Sequence, residues 1–352
     1  MKDLNDFNCA PPGVRNVIIE GDNGRVGRIP LPATMQAPQS PKRYSFLALS
    51  DAHINATAGS DADVDFIRAM QYANESDVAF TCICGDVLDG CTSWIYGRYA
   101  GSDSQVGLKP TYARKPVYEI TGNHDVHSGN NDVSDESWSR FSEYLVKDPY
   151  YVVPYGDDVF IMLSEYGWKQ NAPFADGELE WLQAKLEENR NKRCFVFFHV
   201  FNQDEGDSGQ PMDGFYNHDI YALSARNAVQ KQVFLSLLRH YKNTVWFHGH
   251  SHAEFALQSV NKTTVVSDAC GYRSVHIPSL SKPKVLGSDG VGETDESGSQ
   301  GYVVDVHEDG LVLRGRDFAN GCFLPIATYR IDTPLVTVAA KSYTDATGTI
   351  AV

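Results

Sequence analysis

Residues 46–53 read Phe-Leu-Ala-Leu-Ser-Asp-Ala-His, an apolar run that ends in an acidic residue and a histidine. A short apolar run bounded by polar residues predicts a buried strand, here over 44–50. Asp51 and His53 are two positions apart, so in an extended chain their side chains point to the same face. The pair can chelate one cation, although such a triplet also occurs by chance on solvated turns.

Four later apolar runs end in residues of the same chemical kind. The endings are, in chain order, Gly85-Asp86-Val87-Leu88-Asp89, Gly122-Asn123-His124-Asp125, His199 and Gly249-His250-Ser251-His252. A helix cap would explain Asp86 or Asp89 alone, and a core position would explain His199 alone. Because the carboxyl ends of parallel strands meet at one edge of a sheet, five such endings together predict a functional site there.

Apolar runs alternate with amphipathic stretches, which is typical of a layered α/β domain. Strands are predicted at 44–50, 78–84, 116–121, 158–164, 194–199, 244–248, 254–260, 263–267, 301–306 and 311–316. Helices are predicted at 61–75, 135–147, 176–190 and 226–241. In the helical stretches apolar residues recur at intervals of three and four.

Composition shifts divide the chain into three parts. Residues 1–42, rich in Pro, Gly and Asn, are predicted to form an irregular N-terminal arm. One domain is expected over 43–330, followed by a C-terminal tail over 331–352.

Long insertions interrupt the domain at 90–115, 126–134 and 202–225. Loops of this length are usually functional or disordered, so we expect the first and third to wall a substrate pocket. The acidic, Gly- and Ser-rich stretch 281–300 is predicted to be a mobile surface loop. Candidate pocket residues within the insertions are Tyr96, Tyr99, His127, Tyr216 and His218.

The composition is that of an ordinary globular protein, with 42% hydrophobic and 21% charged residues. The net charge of -15 disfavours a polyanionic partner, so nucleic acid is not expected. The seven cysteines show no C-x-x-C spacing and are expected to be buried thiols in a reducing compartment. Because no signal-like or membrane-spanning run is present, we expect a cytoplasmic protein without membrane insertion.

The order Asp-x-His, Gly-Asp-x-x-Asp, Gly-Asn-His-Asp, His, Gly-His-x-His over residues 51–252 closely resembles the calcineurin-like metallophosphoesterase superfamily. The resemblance implies an α/β four-layer sandwich, in which two stacked mixed β-sheets are flanked by helices. It also implies that strands after residue 253 supply the second sheet, and we expect 311–316 to belong to it.

The resemblance further implies two sets of metal ligands. Asp51, His53 and His252 would bind the first cation, Asn123, His199 and His250 the second, and Asp86 both. Imidazole, carboxylate and amide ligands suit Mn, Fe, Zn or Co, among which we favour Mn. Two divalent cations beside two carboxylates keep a surplus of positive charge that attracts phosphate, and water between them is acidic enough to supply hydroxide.

In the superfamily, the histidine of the Gly-Asn-His-Asp motif protonates the leaving oxygen or stabilises its charge, which implies that role for His124. Asp89 is its expected partner, holding the imidazole in one tautomer and raising its pKa. Gly90 stands where protein Ser/Thr phosphatases carry an arginine. Asp89 stands where purple acid phosphatases carry a metal-binding tyrosine, so both of these branches are disfavoured.

The predicted function is hydrolysis of a small phosphodiester of the cyclic nucleotide, nucleotide-alcohol or phospholipid headgroup type. Phosphomonoesterase and nuclease activities are the enzymatic alternatives, although a nuclease would need a basic groove that no Lys/Arg run indicates. A catalytically silent binding scaffold is the non-enzymatic alternative, and the complete ligand set argues against it. The sequence leaves the substrate and the oligomeric state open.

Overall fold

The computed structural model describes residues 16–20, 26–30, 40–126, 135–166, 173–200, 225–255, 258, 271–286, 292–295, 297–333, 343–344 and 349–350. Its strands are β1 (Asn16–Glu20), β2 (Val26–Pro30), β3 (Lys42–Leu49), β4 (Val78–Cys84), β5 (Val117–Ile120), β6 (Tyr151–Tyr155), β7 (Asp158–Met162), β8 (Arg193–Phe197), β9 (Thr244–His248), β10 (Arg273–His276), β11 (Lys284–Leu286), β12 (Gly292–Thr294), β13 (Gln300–His307), β14 (Gly310–Asp317), β15 (Cys322–Asp332), β16 (Tyr343–Thr344) and β17 (Thr349–Ile350). Its helices are α1 (Asp61–Glu75), α2 (Ser93–Ala100), α3 (Leu108–Tyr112), α4 (Asn123–Val126), α5 (Asp135–Tyr144), α6 (Glu178–Glu188) and α7 (Ala225–His240).

Two mixed sheets form the domain, as predicted. The first has strand order β15-β14-β13-β3-β4-β5, in which β3, β4 and β5 run parallel. The second has strand order β10-β9-β8-β7-β6, in which β7 to β10 run parallel and β6 is an antiparallel edge. Small two-stranded pairs lie outside both sheets, including β1 with β2 inside the predicted N-terminal arm.

The expectation that strands after residue 253 supply the second sheet holds for β10 but is wrong for β13, β14 and β15, and therefore for 311–316. Strand β13 pairs antiparallel with β3, with Tyr302 opposite Ala48, and β14 and β15 continue the first sheet outward. The second sheet is completed by the short strands β6 and β10, which were not predicted. Apolar alternation reports that a strand is buried, but it carries no information on which partner the strand pairs with.

Alternate residues of the central strands face opposite layers. Phe46 and Ala48 of β3 lie between the two sheets, whereas Leu47 and Leu49 pack under α1 and α2. The interior between the sheets is rich in phenylalanine, and the rings of Phe197 and Phe247 stack with centroids 4.8 Å apart. The outer face of the second sheet packs against α6 and α7. These layers give the predicted four-layer sandwich.

Helices α1, α5, α6 and α7 lie where the sequence predicted them, but the prediction for 90–115 as a loop is wrong. This insertion contains α2 and α3. The Thr92 side chain accepts the N–H of Ile95 at the start of α2, the usual N-cap arrangement. The cap is followed by a mixed polar and aromatic run of only eight residues. Such a run is too short for a helical periodicity to be recognised from the sequence.

The two tyrosines of α2 are core residues and not pocket residues. Tyr96 donates its hydroxyl to the carbonyl of Asp125 (2.9 Å), and Tyr99 donates to Glu119 Oε1 (2.8 Å). Lys109 of α3 pairs with the same Glu119 carboxylate (2.6 Å). The insertion is therefore docked onto β5 by buried polar contacts.

The strand predicted at 254–260 is also wrong in its described residues, because the N–H of Gln258 donates to the carbonyl of Glu254 as in a helix. The strand predicted at 263–267 and the insertion residues 127–134 and 202–224 lie outside the described residues. The candidate pocket residues His127, Tyr216 and His218 lie outside them as well. None of the helices in the described part of the chain has the length and apolar character needed to cross a bilayer.

Candidate metal centre

The carboxyl ends of the parallel strands of both sheets meet at one edge of the sandwich. Strands β3, β4 and β5 of the first sheet and β8 and β9 of the second are each followed by one of the predicted motifs. The thiol of Cys84, at the end of β4, donates to the carbonyl of Phe247 in β9 at 3.2 Å. The two sheets therefore approach closely enough at this edge for their loops to share one site.

The loops at this edge have an unusual backbone. Positive φ angles occur at Asp51 (55°), His53 (48°), Asp86 (47°), His250 (72°) and His252 (60°). A left-handed conformation costs a non-glycine residue about 1–3 kcal/mol and persists only where the surroundings enforce it. Asp and His tolerate it better than most residues. Among the described residues only one other non-glycine, Lys282, has positive φ, so backbone strain is concentrated at the predicted ligands.

Two motif glycines allow these loops to touch. A Cβ on Gly122 would lie 2.3 Å from Asp86 Oδ1, and a Cβ on Gly249 would lie 1.9 Å from Ser50 Oγ and 2.6 Å from Asp51 Oδ2. Such distances are far inside van der Waals contact. Any side chain at either position would push apart the loops that carry the candidate ligands.

The first group of candidate ligands contains Asp51, His53, Asp86 and His252. His53 Nε2 lies 2.9 Å from His252 Nε2, which in turn lies 3.1 Å from Asp51 Oδ1. His53 Nε2 lies 3.8 Å from Asp86 Oδ2. Atoms bound to one cation at about 2.0–2.2 Å are separated by distances of this size.

A second group contains Asp86, His199 and His250. His199 Nε2 lies 3.2 Å from both Asp86 Oδ2 and His250 Nδ1. The other ring nitrogen of His199 contacts the carbonyl of Cys84 at 2.7 Å, which fixes the ring and turns Nε2 towards the centre. Asp86 belongs to both groups and is therefore placed between them.

A buried oxygen without a hydrogen-bond donor marks the same centre. Asn123 Oδ1 is buried and accepts no hydrogen bond from the described residues. Asn123 begins α4, beside the backbone N–H of His124 that donates to Asp86 Oδ1 at 2.8 Å. An unsatisfied buried oxygen costs about 1–3 kcal/mol, a cost that a bound cation would remove.

The electrostatics of the buried groups are those of a charged cluster. Burial alone would raise the pKa of Asp51, but His252 and His199 beside it hold that pKa well below its usual range. Burial alone would lower the pKa of His199, but the charges of Asp86 and Asp51 raise it to about 10. Without cations the carboxylates therefore draw a proton onto His199, and a divalent cation can replace that proton.

A third group lies at the mouth of the site and contains His53, Asp89 and His124. His124 Nδ1 lies 3.0 Å from Asp89 Oδ1, and the two side chains are 42% and 45% exposed. Burial lowers the pKa of His124, but the charge of Asp86 and the hydrogen bond with Asp89 outweigh it and raise the pKa to about 9. His124 thus combines access to solvent with a stabilised proton.

Sequence reasoning assigned no role to Asp125, which holds the second and third motifs together. Its buried carboxylate accepts the N–H groups of Gly122 (2.7 Å), Leu88 (2.8 Å) and Val87 (3.3 Å). The loops after β4 and β5 are therefore joined directly behind the candidate ligands. Its place in the Gly-Asn-His-Asp motif was the available signal, but a carboxylate in a motif does not reveal whether it binds metal or backbone.

The nine residues predicted for the site therefore converge. Eight of them form the three groups, within each of which the ligand atoms lie within 4.8 Å of one another, and Asn123 adjoins Asp86 through its neighbour His124. The acid and imidazole content, the shared carboxylate and the buried oxygen of Asn123 suit a dinuclear metal site.

Comparisons with known proteins agree with this geometry. The family model described as calcineurin-like phosphoesterase matches residues 44–254, more than half of the chain. A comparison with curated proteins finds no match.

Similar solved structures include a dimetal phosphatase from Danio rerio, with a TM-score of 0.54 and 14% identity over 83% of this chain and 100% of that one. GAP50 of Plasmodium, described as the anchor in the inner membrane complex, has a TM-score of 0.50 and 12% identity over 84% of this chain and 90% of that one. Purple acid phosphatase PPD1 from yellow lupin (Lupinus luteus) seeds has a TM-score of 0.51 and 14% identity over 89% of this chain and 58% of that one. At such identities the likeness establishes the fold alone.

Proposed function

The chain belongs to the calcineurin-like phosphoesterase family, and on this premise we propose that it is a two-metal phosphodiesterase that acts on a small substrate. Membership makes the protein a phosphoric ester hydrolase. The observation that carries the proposal is the position of Asp86, whose carboxylate lies in two groups of candidate ligands. A carboxylate shared in this way would bind both of the cations that two-metal hydrolysis requires.

We assign one cation to Asp51, His53 and His252, the other to Asn123, His199 and His250, and Asp86 to both. The buried Asn123 Oδ1, which accepts no hydrogen bond from the described residues, supports the assignment, because a cation would satisfy it. The donor set of imidazole, carboxylate and amide suits Mn, Fe, Zn or Co, and we favour Mn for its acceptance of oxygen ligands.

When bound, the cations polarise the phosphate and supply hydroxide from water at neutral pH. The chain contributes the charge balance, because the carboxylates of Asp51 and Asp86 offset only part of the charge of two divalent cations. The remaining positive charge attracts a phosphate to an otherwise acidic protein.

His124 would donate the proton that the leaving oxygen needs. Its Nδ1 faces Asp89, so its other ring nitrogen is the one that can reach a substrate. The carboxylate of Asp89 favours the protonated imidazole and holds its orientation. Asp86 adds to both effects, since it accepts the backbone N–H of His124 and its charge raises the pKa of the ring.

The net charge of the whole chain, as distinct from that of the site, favours a diester. Near neutral pH a phosphate diester carries one negative charge and a monoester carries up to two. The whole chain has a net charge of -15. A substrate with less negative charge is therefore repelled less on approach.

The test is a comparison of initial rates with added Mn²⁺. The substrates are a cyclic nucleotide, a glycerophosphodiester, a short single-stranded oligonucleotide, and nitrophenyl phosphate as both its monoester and its methyl diester. We expect kcat/KM for the small diesters to exceed that of the monoester by about tenfold or more, a difference of about 1.4 kcal/mol in activation free energy. Asp86→Asn, purified identically, controls for contaminating hydrolases.

Each other outcome selects a different function. Preference for the monoester would make the protein a phosphomonoesterase. The monoester is one of the substrates because two of the similar structures are described as phosphatases. Preference for the oligonucleotide would indicate a nuclease. Binding of two cations without turnover of any substrate would favour the silent scaffold.

A further inference from the structure

We propose that His276 and Ser279 are positioning residues for the metal centre. They belong to the segment 276–284, which begins at the last residue of β10 and lies against the loops that carry Asp51 and His252. The inference rests on the metal site of the proposed function, but it is independent of which phosphate ester is the substrate.

The loop that carries His250 and His252 needs support from outside itself. Both residues have positive φ, at 72° and 60°, and they flank Ser251. Two residues with left-handed backbone in three positions are unfavourable in a loop that nothing else supports. Contacts to Ser251, which lies between them, are therefore well placed to hold the conformation.

His276 provides such a contact. Its Nε2 lies 2.5 Å from Ser251 Oγ, and Ser251 Oγ also accepts the N–H of Ala253 at 3.1 Å. The ring of His276 stacks on His248 with centroids 4.8 Å apart, and both rings are buried. Because the imidazole is held by stacking, it can define where Ser251 lies.

The other side of the segment holds the loop after β3. Ser279 Oγ lies 3.0 Å from the carbonyl of Asp51 and also contacts the carbonyl of Ser281, so that its single hydroxyl proton is shared between the two. The N–H of Ser281 donates to the carbonyl of Asp51 at 3.2 Å. The N–H of Leu280 donates to the carbonyl of Ser50 at 2.8 Å. Asp51, with φ of 55°, is thus another strained candidate ligand whose backbone is held by this segment.

Main-chain bonds complete the connection. The N–H of Ile277 donates to the carbonyl of His248 at 2.8 Å, and the N–H of Lys284 donates to that of His252 at 2.7 Å. Strand β3 belongs to the first sheet and β9 to the second. The segment therefore links the two halves of the first cation site, which are supplied by different sheets.

The expected consequence of removing His276 or Ser251 is a looser cation site in a folded protein. Loss of a group that orients metal ligands lowers metal affinity by about 10- to 100-fold. If the contact acts as one unit, the double variant should lose no more affinity than either single variant.

The experiment measures Mn²⁺ affinity by calorimetric titration of the chelator-treated full chain. The variants are Ser251→Ala, His276→Ala, the double variant and Ser279→Ala, and Arg273→Ala on the same strand is the control. Arg273 contacts the carbonyl of Lys242 on the surface, so its replacement should leave Mn²⁺ affinity unchanged. His276→Gln keeps a polar side-chain terminus and should recover most of the lost affinity.

Thermal unfolding of the metal-free variants separates positioning from general instability. The proposal predicts equal metal-free Tm values, a 10- to 100-fold weaker Mn²⁺ site, and non-additive losses at Ser251 and His276. Unchanged affinity in both single variants overturns it, as does a double variant whose loss is the product of the single losses. If His276→Ala does not fold, the other two variants test the proposal. Ser251→Ala removes the contact between Ser251 and His276 by a smaller change, and His276→Gln keeps a polar group that can restore it. Activity is not needed for any of these readouts, so a failed substrate screen leaves the test intact.

Discussion

His124 is joined to two carboxylates at once: its ring Nδ1 lies 3.0 Å from Asp89 Oδ1, and its backbone N–H donates to Asp86 Oδ1 at 2.8 Å. The first contact orients the imidazole, and the second ties it to the carboxylate shared by two groups of candidate ligands. If His124 is the proton donor of the proposed mechanism, this anchoring would fix its position relative to bound cations. The arrangement leads directly to two predictions.

Replacing His124 should affect substrates according to their leaving groups. An alkoxide must be protonated as it departs, whereas nitrophenolate is already a stable anion. We expect His124→Gln to lower kcat about 10²- to 10⁴-fold for an alkyl ester and distinctly less for a nitrophenyl ester. Asp89→Asn should show the same bias more weakly. Metal content must be measured first, because a metal defect would slow the hydrolysis of every substrate alike. If a metal-replete variant hydrolyses both esters more slowly by the same factor, His124 is an electrostatic or binding residue and not the general acid.

The proton on His124 should be visible in the metal-free protein. There its pKa is expected near 9, so the ring stays protonated at neutral pH and loses its proton only as the pH rises through that value. Asp89→Asn should lower the pKa, because it removes a charge and a charged hydrogen-bond acceptor. Titration of the histidine resonances by NMR checks both statements. A wild-type pKa near 6.5, or one insensitive to Asp89→Asn, would contradict the pairing.

The shared position of Asp86 predicts an asymmetry between two ligand variants. Asp86→Ala should weaken both cation sites, since its carboxylate lies in both groups, whereas His53→Ala should chiefly weaken one. Metal analysis after dialysis against limiting Mn²⁺ gives the stoichiometry of each variant. Loss of one cation from both proteins would argue against a bridging carboxylate.

The close approach at Gly122 predicts that its side chain cannot be enlarged. In Gly122→Ala the new Cβ would meet Asp86 Oδ1 at 2.3 Å, so the loops after β4 and β5 must separate. We expect Mn²⁺ affinity to fall about tenfold or more. Gly59→Ala is the control, because Gly59 has φ of 74° but no atom within 4 Å of an added Cβ. It should cost some stability and leave Mn²⁺ binding intact, and equal metal loss in both variants would refute the steric explanation.

At the opposite edge of the sandwich, a buried ion pair should govern stability without affecting the site. Arg193 donates to both oxygens of Asp158 at 3.0 Å, and Tyr44 donates to the same carboxylate at 2.8 Å. Arg193→Met leaves the buried carboxylate of Asp158 without its positively charged partner. It should lower the free energy of unfolding by about 3–5 kcal/mol. Urea unfolding of the metal-free protein measures this. The pair of Arg190 and Glu187, in which the arginine side chain is 39% exposed, offers the control, since Arg190→Met should cost no more than about 1 kcal/mol.

The candidate site was largely predictable from sequence. Each of its residues directly follows an apolar run or begins the next turn, and the spacing correctly places Asp51 with His53. The same spacing at His250 and His252 is misleading, because these two histidines belong to different groups of candidate ligands. The convergence of the motifs also follows, because parallel strands end at a common edge. Contacts between residues that are far apart in the sequence were not predicted. Asp125 was visible in a motif, but its three backbone partners were not.

The sequence by itself determined the type of fold, the order of the motifs and the chemical identity of the site, because strand burial and ligand type are local properties of the chain. Only the tertiary structure decided that β13 and β14 extend the first sheet, that α2 docks its tyrosines inward, and that the segment 276–284 supports the metal loops. The hydrogen bond from Ser279 to Asp51 spans 228 positions. A contact over such a distance leaves no periodicity or spacing in the sequence, since it exists only once both sheets have packed together.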